Sequence, residues 1–367
     1  MLKRYRLKDF DYRLVIFLVV LTALGICLIG SAARSKQMMQ AFGLLLGLAA
    51  MTALAVIDYN FILQFYWIIY VANIVLLIFV RIVGSSAGGA TRWISIFSIR
   101  FQPSELSKIL LILFFAKIFS KYEEKLNNWK ILITMVVLAL VPLYLIKEQP
   151  DLSTSIVVGI IFCIMIYIAG LKRKTVLITL GVALTALVGF IVLIVNYGRT
   201  ILNDYQYKRI MAWFDPTHYA DTAYQQQNSI MAIGSGQLLG KGLNNNVISS
   251  VKNGNFISEP QTDFIFAVTG EELGFVGSCI IIILLLLISL ECIKIGKKAH
   301  DLQGKLICCG MATLVGFQSF INICVATGLM PNTGLPLPFV SYGVTSLLTL
   351  FIGMGVVLNI GLQQRKY

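Results

Sequence analysis

Long apolar runs separated by short polar clusters dominate the chain and cover residues 12–31, 37–57, 61–83, 104–120, 129–146, 152–170, 175–196, 263–293, 304–328 and 342–362. Each comes near the roughly 20 residues that an α-helix needs to cross the hydrocarbon core of a bilayer. In hydrocarbon such runs must be helical, because no water is present to satisfy backbone N–H and C=O groups. The pattern predicts an all-α polytopic membrane protein: one membrane domain over residues 1–367, with ten transmembrane helices and a large extracytoplasmic loop, 197–262, between helices 7 and 8. The first run follows a basic leader, and Ser31-Ala32-Ala33 imitates a signal-peptide cleavage site. Its apolar stretch is longer than a usual signal core, so it is read as a retained helix. The run 263–293 is too long for one perpendicular crossing, which predicts a tilt or a break near Gly270, Gly274 or Gly277.

Composition agrees, since 57% of the 367 residues are hydrophobic and only 13% charged, against roughly 25% charged in a soluble domain. Lys and Arg then set the orientation. With the N-terminus inside, 18 of the 30 basic residues fall on the inner side and 7 in short outer segments, while the 5 in the long loop count little. Both termini are therefore expected on the cytoplasmic face of the cell membrane. The net charge of +13 is this topological bias together with an attraction for anionic membrane lipid, and it does not point to nucleic acid. All seven cysteines fall in predicted helices, and His218 and His300 lie in loops on opposite sides. That excludes a disulfide framework, a zinc-ligand spacing and a Ser-His-Asp constellation. No internal repeat is visible, which disfavours transporters built from duplicated halves.

Candidate chemistry gathers on the outer connections 84–103, 197–262 and 329–341, which are longer and richer in Gly, Pro and polar residues than the inner ones. Within 197–262 the aromatic residues Tyr205, Tyr207, Trp213, Phe214, Tyr219, Tyr224 and Phe256 predict an ordered extracytoplasmic cap. Asp263 follows Pro260 at the start of the eighth helix, where it can act as an N-cap, as a functional carboxylate, or as both. Glu271 and Glu272 lie roughly 12 to 14 Å deeper, and helical phase lets only one of them share a cavity with Asp263. Their simplest role is support through bonds to neighbouring helices.

In Gln102-Pro103-Ser104-Glu105-Leu106-Ser107-Lys108, Pro103 suits the first helical position and Glu105 the acidic position of a capping box. Lys108 shares a face with Glu105, as an ion pair or as a cation held for a ligand. Arg92, in Gly88-Gly89-Ala90-Thr91-Arg92-Trp93-Ile94, offers a planar fork for phosphate or carboxylate. Asp151 opens the sixth helix as an N-cap, and the three prolines of 330–343 either line a cavity or make a rigid re-entrant turn. With Arg199, Lys208 and Arg209 of the long loop, these segments describe a site for an anionic amphiphile with its head group outside and its tail among helices.

The motifs taken together resemble the SEDS family, the RodA, FtsW and SpoVE group, over essentially the whole length. They are Gly-Gly-Ala-x-Arg-Trp-Ile at 88–94, Gln-Pro-Ser-Glu at 102–105 with Lys108, Pro-Asp-Leu at 150–152, Ala-Ile-Gly-Ser-Gly at 232–236, Thr-Asp-Phe-Ile-Phe-Ala at 262–267 with Glu-Glu-Leu-Gly at 271–274, and Gly-Leu-Pro-Leu-Pro-Phe-Val-Ser-Tyr-Gly at 334–343. Four positions depart from the family pattern: Gln261 replaces a common His, while Ser153, Gln237 and Val344 each replace a Gly.

The resemblance implies a peptidoglycan glycosyltransferase that polymerises lipid II, most like RodA and so serving cell elongation and shape, with a class B penicillin-binding protein as transpeptidase partner. A lipid II flippase, or a division or sporulation paralogue, is the alternative. It further implies that Asp263 is the essential aspartate, acting as general base or as ligand to a divalent cation, Mg2+ or Mn2+, on the diphosphate. Lys108, Arg92 and Arg209 would bind the diphosphates and Glu105 would orient Lys108. Asp151 and Ser341 join the substrate-binding set, and Glu271 and Glu272 support it. An α-linked donor giving a β-linked glycan implies inversion by direct displacement.

Overall fold

The computed structural model describes the chain apart from residues 1–9, 88–89, 97–98, 150, 174, 176–203, 245–249, 251–253, 255 and 364–367. All but the first residue of the expected helix 175–196, and Arg199, therefore lie outside the described residues. The apolar runs fold as helices α1 (Tyr12–Ala32), α2 (Arg34–Val56), α3 (Tyr59–Gln64), α4 (Tyr66–Val83), α5 (Pro103–Lys121), α6 (Trp129–Glu148) and α7 (Leu152–Ile168). After the undescribed stretch come α8 (Asp204–Phe214), α9 (Ala220–Ser235), α10 (Ile265–Lys297), α11 (Leu302–Ala326) and α12 (Val344–Leu362).

Seven of these, α1, α2, α4, α6, α10, α11 and α12, are long and apolar enough to cross a membrane. Helix α7 is apolar but shorter, and α5 carries Glu105, Lys108 and Lys117 along its 19 residues. The expected single helix 61–83 divides at Phe65, where Phe65 N–H bonds back three residues to the Ile62 carbonyl at 3.2 Å and closes α3 as a short turn. Connection 84–103 contains three short antiparallel strands, β1 (Ser85–Ala87), β2 (Ala90–Ile96) and β3 (Ile99–Phe101), in the order β1-β2-β3. Pairing Ser85 with Trp93 and Ile94 with Phe101 makes this connection a ribbon that leads into α5.

Helix α11 is the hub, packed against α5, α7, α10 and α12, and it is largely buried. Lipid tails are as apolar as leucine, so association rests on close packing and internal hydrogen bonds more than on hydrophobic transfer. Tyr70 and Phe114 stack at 4.4 Å between α4 and α5, and Phe115 meets Phe162 edge-on at 5.0 Å between α5 and α7. The outer faces of α2, α4, α6 and α10 expose large apolar side chains such as Leu45, Ile68, Leu140 and Leu286.

Within the long loop, residues 220–242 run beside α10 and reach the end of α11. Ser229 Oγ donates to the Ala326 carbonyl at 2.8 Å, and Gln226 Nε2 donates to the Val325 and Met330 carbonyls at 2.8 and 2.7 Å. Helix α9 and the residues after it also expose Ile230, Met231, Leu238 and Leu239. Helix α10 breaks at Gly274, one of the three glycines proposed for it, with φ +65° and ψ −160°.

Candidate active site

Asp263 sits in a tight turn of residues 261–264, just before α10 begins. The N-cap of α10 is Phe264, and no side chain caps that helix. Capping therefore does not account for Asp263, and Thr262 spends its hydroxyl on the Glu259 carbonyl at 2.8 Å. Main-chain bonds hold the turn instead. The Gln261 carbonyl accepts from Tyr342 N–H at 2.8 Å, the Thr262 carbonyl from Ser341 Oγ at 2.6 Å, and the Asp263 carbonyl from Asn322 Nδ2 at 2.8 Å. Three consecutive carbonyls are thus tied to α11 and to the proline-rich segment, which leaves the Asp263 side chain positioned by its backbone.

The carboxylate is half-buried, with part of its surface open although protein atoms surround it densely. Burial pushes the Asp263 carboxyl above its ordinary value; Arg209 and then Arg92 oppose the rise, and Asp151 and Glu259 add to it. Arg209, half-buried on α8, and Asp263 both lie beside Gly334. A Cβ placed on Gly334 would lie 3.3 Å from Arg209 Nη1 and 3.4 Å from Asp263 Oδ2. Arg92 is oriented by Nε donating to the Gln149 carbonyl at 3.0 Å and by Nη1 lying 4.0 Å from Asp151 Oδ1. Asp151 is the expected N-cap of α7, accepting from Thr154 N–H at 3.2 Å, and it also accepts from Gln102 Nε2 and Ser104 Oγ at 3.1 and 3.2 Å. Its oxygens are so occupied that it aligns Arg92 and α5 and presents no open face to a ligand.

Three further residues of the expected set make internal bonds, and for Lys108 and Glu105 these include the expected ion pair. Lys108 is 1% exposed, with its ammonium 2.7 Å from Glu105 Oε1 and 2.7 Å from Gln318 Oε1, so it is a buried internal cation and not an open ligand for a diphosphate. Glu105 caps nothing, since α5 has no side-chain cap; it accepts from Lys108 and, at 2.9 Å, from Ser346 Oγ. Ser341 uses its hydroxyl twice internally, donating to the Thr262 carbonyl and accepting from Leu337 N–H at 2.7 Å, which makes it a clamp on the Asp263 turn. Glu271 pairs with Lys241 at 2.9 Å, and Glu272 accepts from Ser31 Oγ at the end of α1, so both are supports.

Gln318 and Asn322 were missed by sequence reasoning. Gln318 Nε2 donates to the Pro336 carbonyl at 2.9 Å and Asn322 Nδ2 to the Leu335 carbonyl at 2.6 Å. One turn apart on α11, they carry the buried Lys108–Glu105 pair's position to the proline-rich segment and to Asp263. Two amides four residues apart in a largely apolar run were the available signal.

Gly334 gives a direct check on this geometry. Its φ of +72° disfavours any side chain, and a methyl there would press on both Arg209 and Asp263. Gly334→Ala is expected to cut the rate of the reaction by about tenfold or more while the protein still folds, as read by turnover per folded molecule; wild-type turnover would show that the placement of Arg209 and Asp263 beside Gly334 does not matter to the reaction.

The profile of the family described as Cell cycle protein, FtsW/RodA/SpoVE, matches residues 10–366. The chain belongs to this family. It is 34% identical over 374 residues to a probable peptidoglycan glycosyltransferase FtsW of Geobacter sulfurreducens, covering 96% of this chain and 95% of that one. The FtsW of Bacillus subtilis, named in the same way, is 33% identical over 383 residues, covering 99% and 93%. Among solved structures, a chain from a peptidoglycan synthase complex, studied for structural coordination of polymerization and crosslinking, superposes with a TM-score of 0.80 at 28% identity, covering 96% of this chain and 97% of that one. The rod shape determining protein RodA of Thermus thermophilus superposes with a TM-score of 0.71 at 26% identity, covering 98% of each chain.

Departures from the FtsW/RodA/SpoVE pattern now have places in the structure. Gln237 adopts φ +51°, a left-handed conformation that favours the glycine usual there. Ser153 adds a bond from its Oγ to the Thr333 carbonyl at 2.7 Å, tying α7 to the proline-rich segment. Gln261 Nε2 donates to Glu259, and Val344 is the first residue of α12. None of the four is one of the charged groups around Asp263.

Proposed function

We propose that this chain is a peptidoglycan glycosyltransferase that polymerises lipid II into glycan strands at the outer face of the cytoplasmic membrane. In this reading ten helices span the membrane, both termini are cytoplasmic, and the long loop and the Asp263 recess are extracytoplasmic. The observation that carries the proposal is Asp263 itself: a half-open carboxylate in a dense recess, capping no helix, held by three consecutive main-chain bonds and faced by arginines.

The chemistry follows from that arrangement. Asp263 removes the proton of the acceptor sugar hydroxyl as that oxygen attacks the anomeric carbon of the donor. The bond from that carbon to the diphosphate breaks on the opposite face, and the diphosphate leaves with the electron pair. A positioned carboxylate base contributes about 10²- to 10⁴-fold. Arg209 and Arg92, the two cations that act on Asp263, stabilise the charge on the leaving diphosphate in a site where fixed cations need no reorganisation. Lys108 acts at one remove, through Gln318 and the proline-rich segment. No group of three His, Cys, Asp or Glu side chains that could hold a metal ion occurs among the described residues. A divalent cation would find Asp263 and would complete its shell from diphosphate oxygens and water, as Mg2+ commonly does.

The partner in this reading is a class B penicillin-binding protein that supplies transpeptidation, as suits a relative taken from a synthase complex that joins polymerization to crosslinking. The cellular role we assign from the sequence motifs is elongation and shape. Division is the second reading, favoured by the FtsW names of the relatives; depletion separates them, giving round cells in the first case and filaments in the second.

The purified chain with its partner's transpeptidase blocked, given labelled lipid II, is expected to yield long glycan strands. Exchange of lipid II between leaflets with no polymer formed would replace this proposal with a flippase.

A further inference from the structure

The break in α10 is filled by another part of the chain. In a continuous helix Phe275 N–H would bond the Glu271 carbonyl and Val276 N–H the Glu272 carbonyl. Here each of those four groups is taken by residues 237–242. Lys241 N–H donates to the Glu271 carbonyl at 2.9 Å and Gly242 N–H to the Glu272 carbonyl at 3.0 Å, while Phe275 and Val276 N–H donate to the Gln237 and Leu238 carbonyls at 2.8 and 3.1 Å. Side chains lock the insertion: Lys241 Nζ pairs with Glu271 Oε1 at 2.9 Å, and Ser31 Oγ both donates to Glu272 and accepts from Asn244 N–H at 3.0 Å. The fit depends on glycine, since a Cβ on Gly240 would fall on the Glu272 carbonyl and one on Gly274 on Gly240 N.

We infer that residues 237–242 are a wedge that sets the direction of the first part of α10, and that Lys241 is thereby a positioning residue for Asp263. The inference rests on the reading of Asp263 as the base. Two fully bonded forms of α10 follow from the four groups. With the wedge in, they pair with the loop and the helix bends at Gly274. With the wedge out and Gly274 in a helical conformation, they pair with each other and the helix is straight. Glu271, Glu272 and Gly274 are buried while residues 237–239 and 242 lie on the exposed apolar flank of the bundle; where that flank meets lipid, a half-inserted wedge would strand polar backbone groups at high cost, so the bend has two states and few intermediates. Asp263 lies about 15 Å along the chain from the break. A swing of about 10° there moves it more than about 2 Å, and a misplacement of about 1 Å can cost 10²-fold in rate. Because the wedge continues α9 and the long loop, a contact made on that loop by a partner can reach Asp263 through it.

The test uses the full chain in lipid nanodiscs with its transpeptidase partner inhibited and labelled lipid II as substrate. Lys241→Ala is expected to lower kcat about tenfold or more with KM for lipid II within about twofold, a loss confined to the transition state. Lys241→Arg is expected to keep most of the rate, and the exchange Lys241→Glu with Glu271→Lys to recover it. Gly274→Ala cannot hold the bend easily and is expected to expel the wedge. Spin labels on the exposed positions Leu239 and Ile283, with the exposed Cys27 and Cys163 replaced by serine, report this as a lengthened distance.

An unchanged distance in folded Gly274→Ala would overturn the wedge, and an unchanged kcat in Lys241→Ala would overturn the positioning role. Full polymerisation by Asp263→Asn would overturn the reading of Asp263 instead, and the distance measurement would still decide the wedge.

Discussion

Asp263→Asn is expected to lower the rate of glycan polymerisation by about 10²- to 10⁴-fold while leaving lipid II affinity and protein stability close to wild type. The variant keeps shape and size and removes only the ability to take a proton. Folding should survive because the bonds that hold this turn use the carbonyls of residues 261, 262 and 263, which any residue supplies. Had Asp263 been the cap of α10, its loss would cost about 1 kcal/mol of stability, but that helix begins from Phe264 without a side-chain cap. Thermal unfolding and turnover measured on the same preparation separate the two. Loss of stability with turnover retained would make Asp263 structural.

The second large effect is expected at a buried cation, Lys108. Lys108→Ala leaves Glu105, 4% exposed, without its buried cation, and removing one partner of a buried pair typically costs about 3–5 kcal/mol. The damage should also spread along the chain of contacts from Lys108 to Gln318 and the Pro336 carbonyl. Replacing both charges, as in Glu105→Leu with Lys108→Met, is expected to recover much of the stability, since apolar substitutes for a buried pair are often neutral or better. Polymerisation should stay low in that double variant, because Gln318 loses its ammonium partner. Unfolding half-lives in detergent, compared for the single and double variants, check this. Equal half-lives for Lys108→Ala and wild type would mean that the pair is not buried as described.

The membrane helices were legible because a bilayer allows little else: a run of about 20 apolar residues has one stable form there. Asp263, Arg92, Arg209 and Asp151 were legible as a set because alternating connections return to one end of the bundle, and the structure brings them together. The Lys108–Glu105 pair was legible from its spacing, but its burial and the internal bonds of Ser341 were not, because spacing along one helix says nothing about whether a neighbouring helix covers a charge. Gln318 does so from 210 positions away. The path of residues 220–242 was hidden for a related reason. Its apolar stretch is too short to read as a membrane segment, and its backbone is satisfied by the gap in α10, a feature of another part of the chain. The three strands of 85–101 escaped because strands this short carry little periodicity.

The pH dependence of kcat/KM for polymerisation, taken for wild type, Arg209→Ala and Asp263→Asn, tests the central claim most directly. A base must be ionised, so activity should rise with pH through the Asp263 titration, and burial places that limb above the ordinary carboxylate range. Arg209 is the largest of the influences that hold this carboxyl down, so its removal should move the limb to higher pH, and Asp263→Asn should lose the limb along with most of the rate. A limb that stays in place in Arg209→Ala and persists in Asp263→Asn would contradict the assignment of Asp263 as the base.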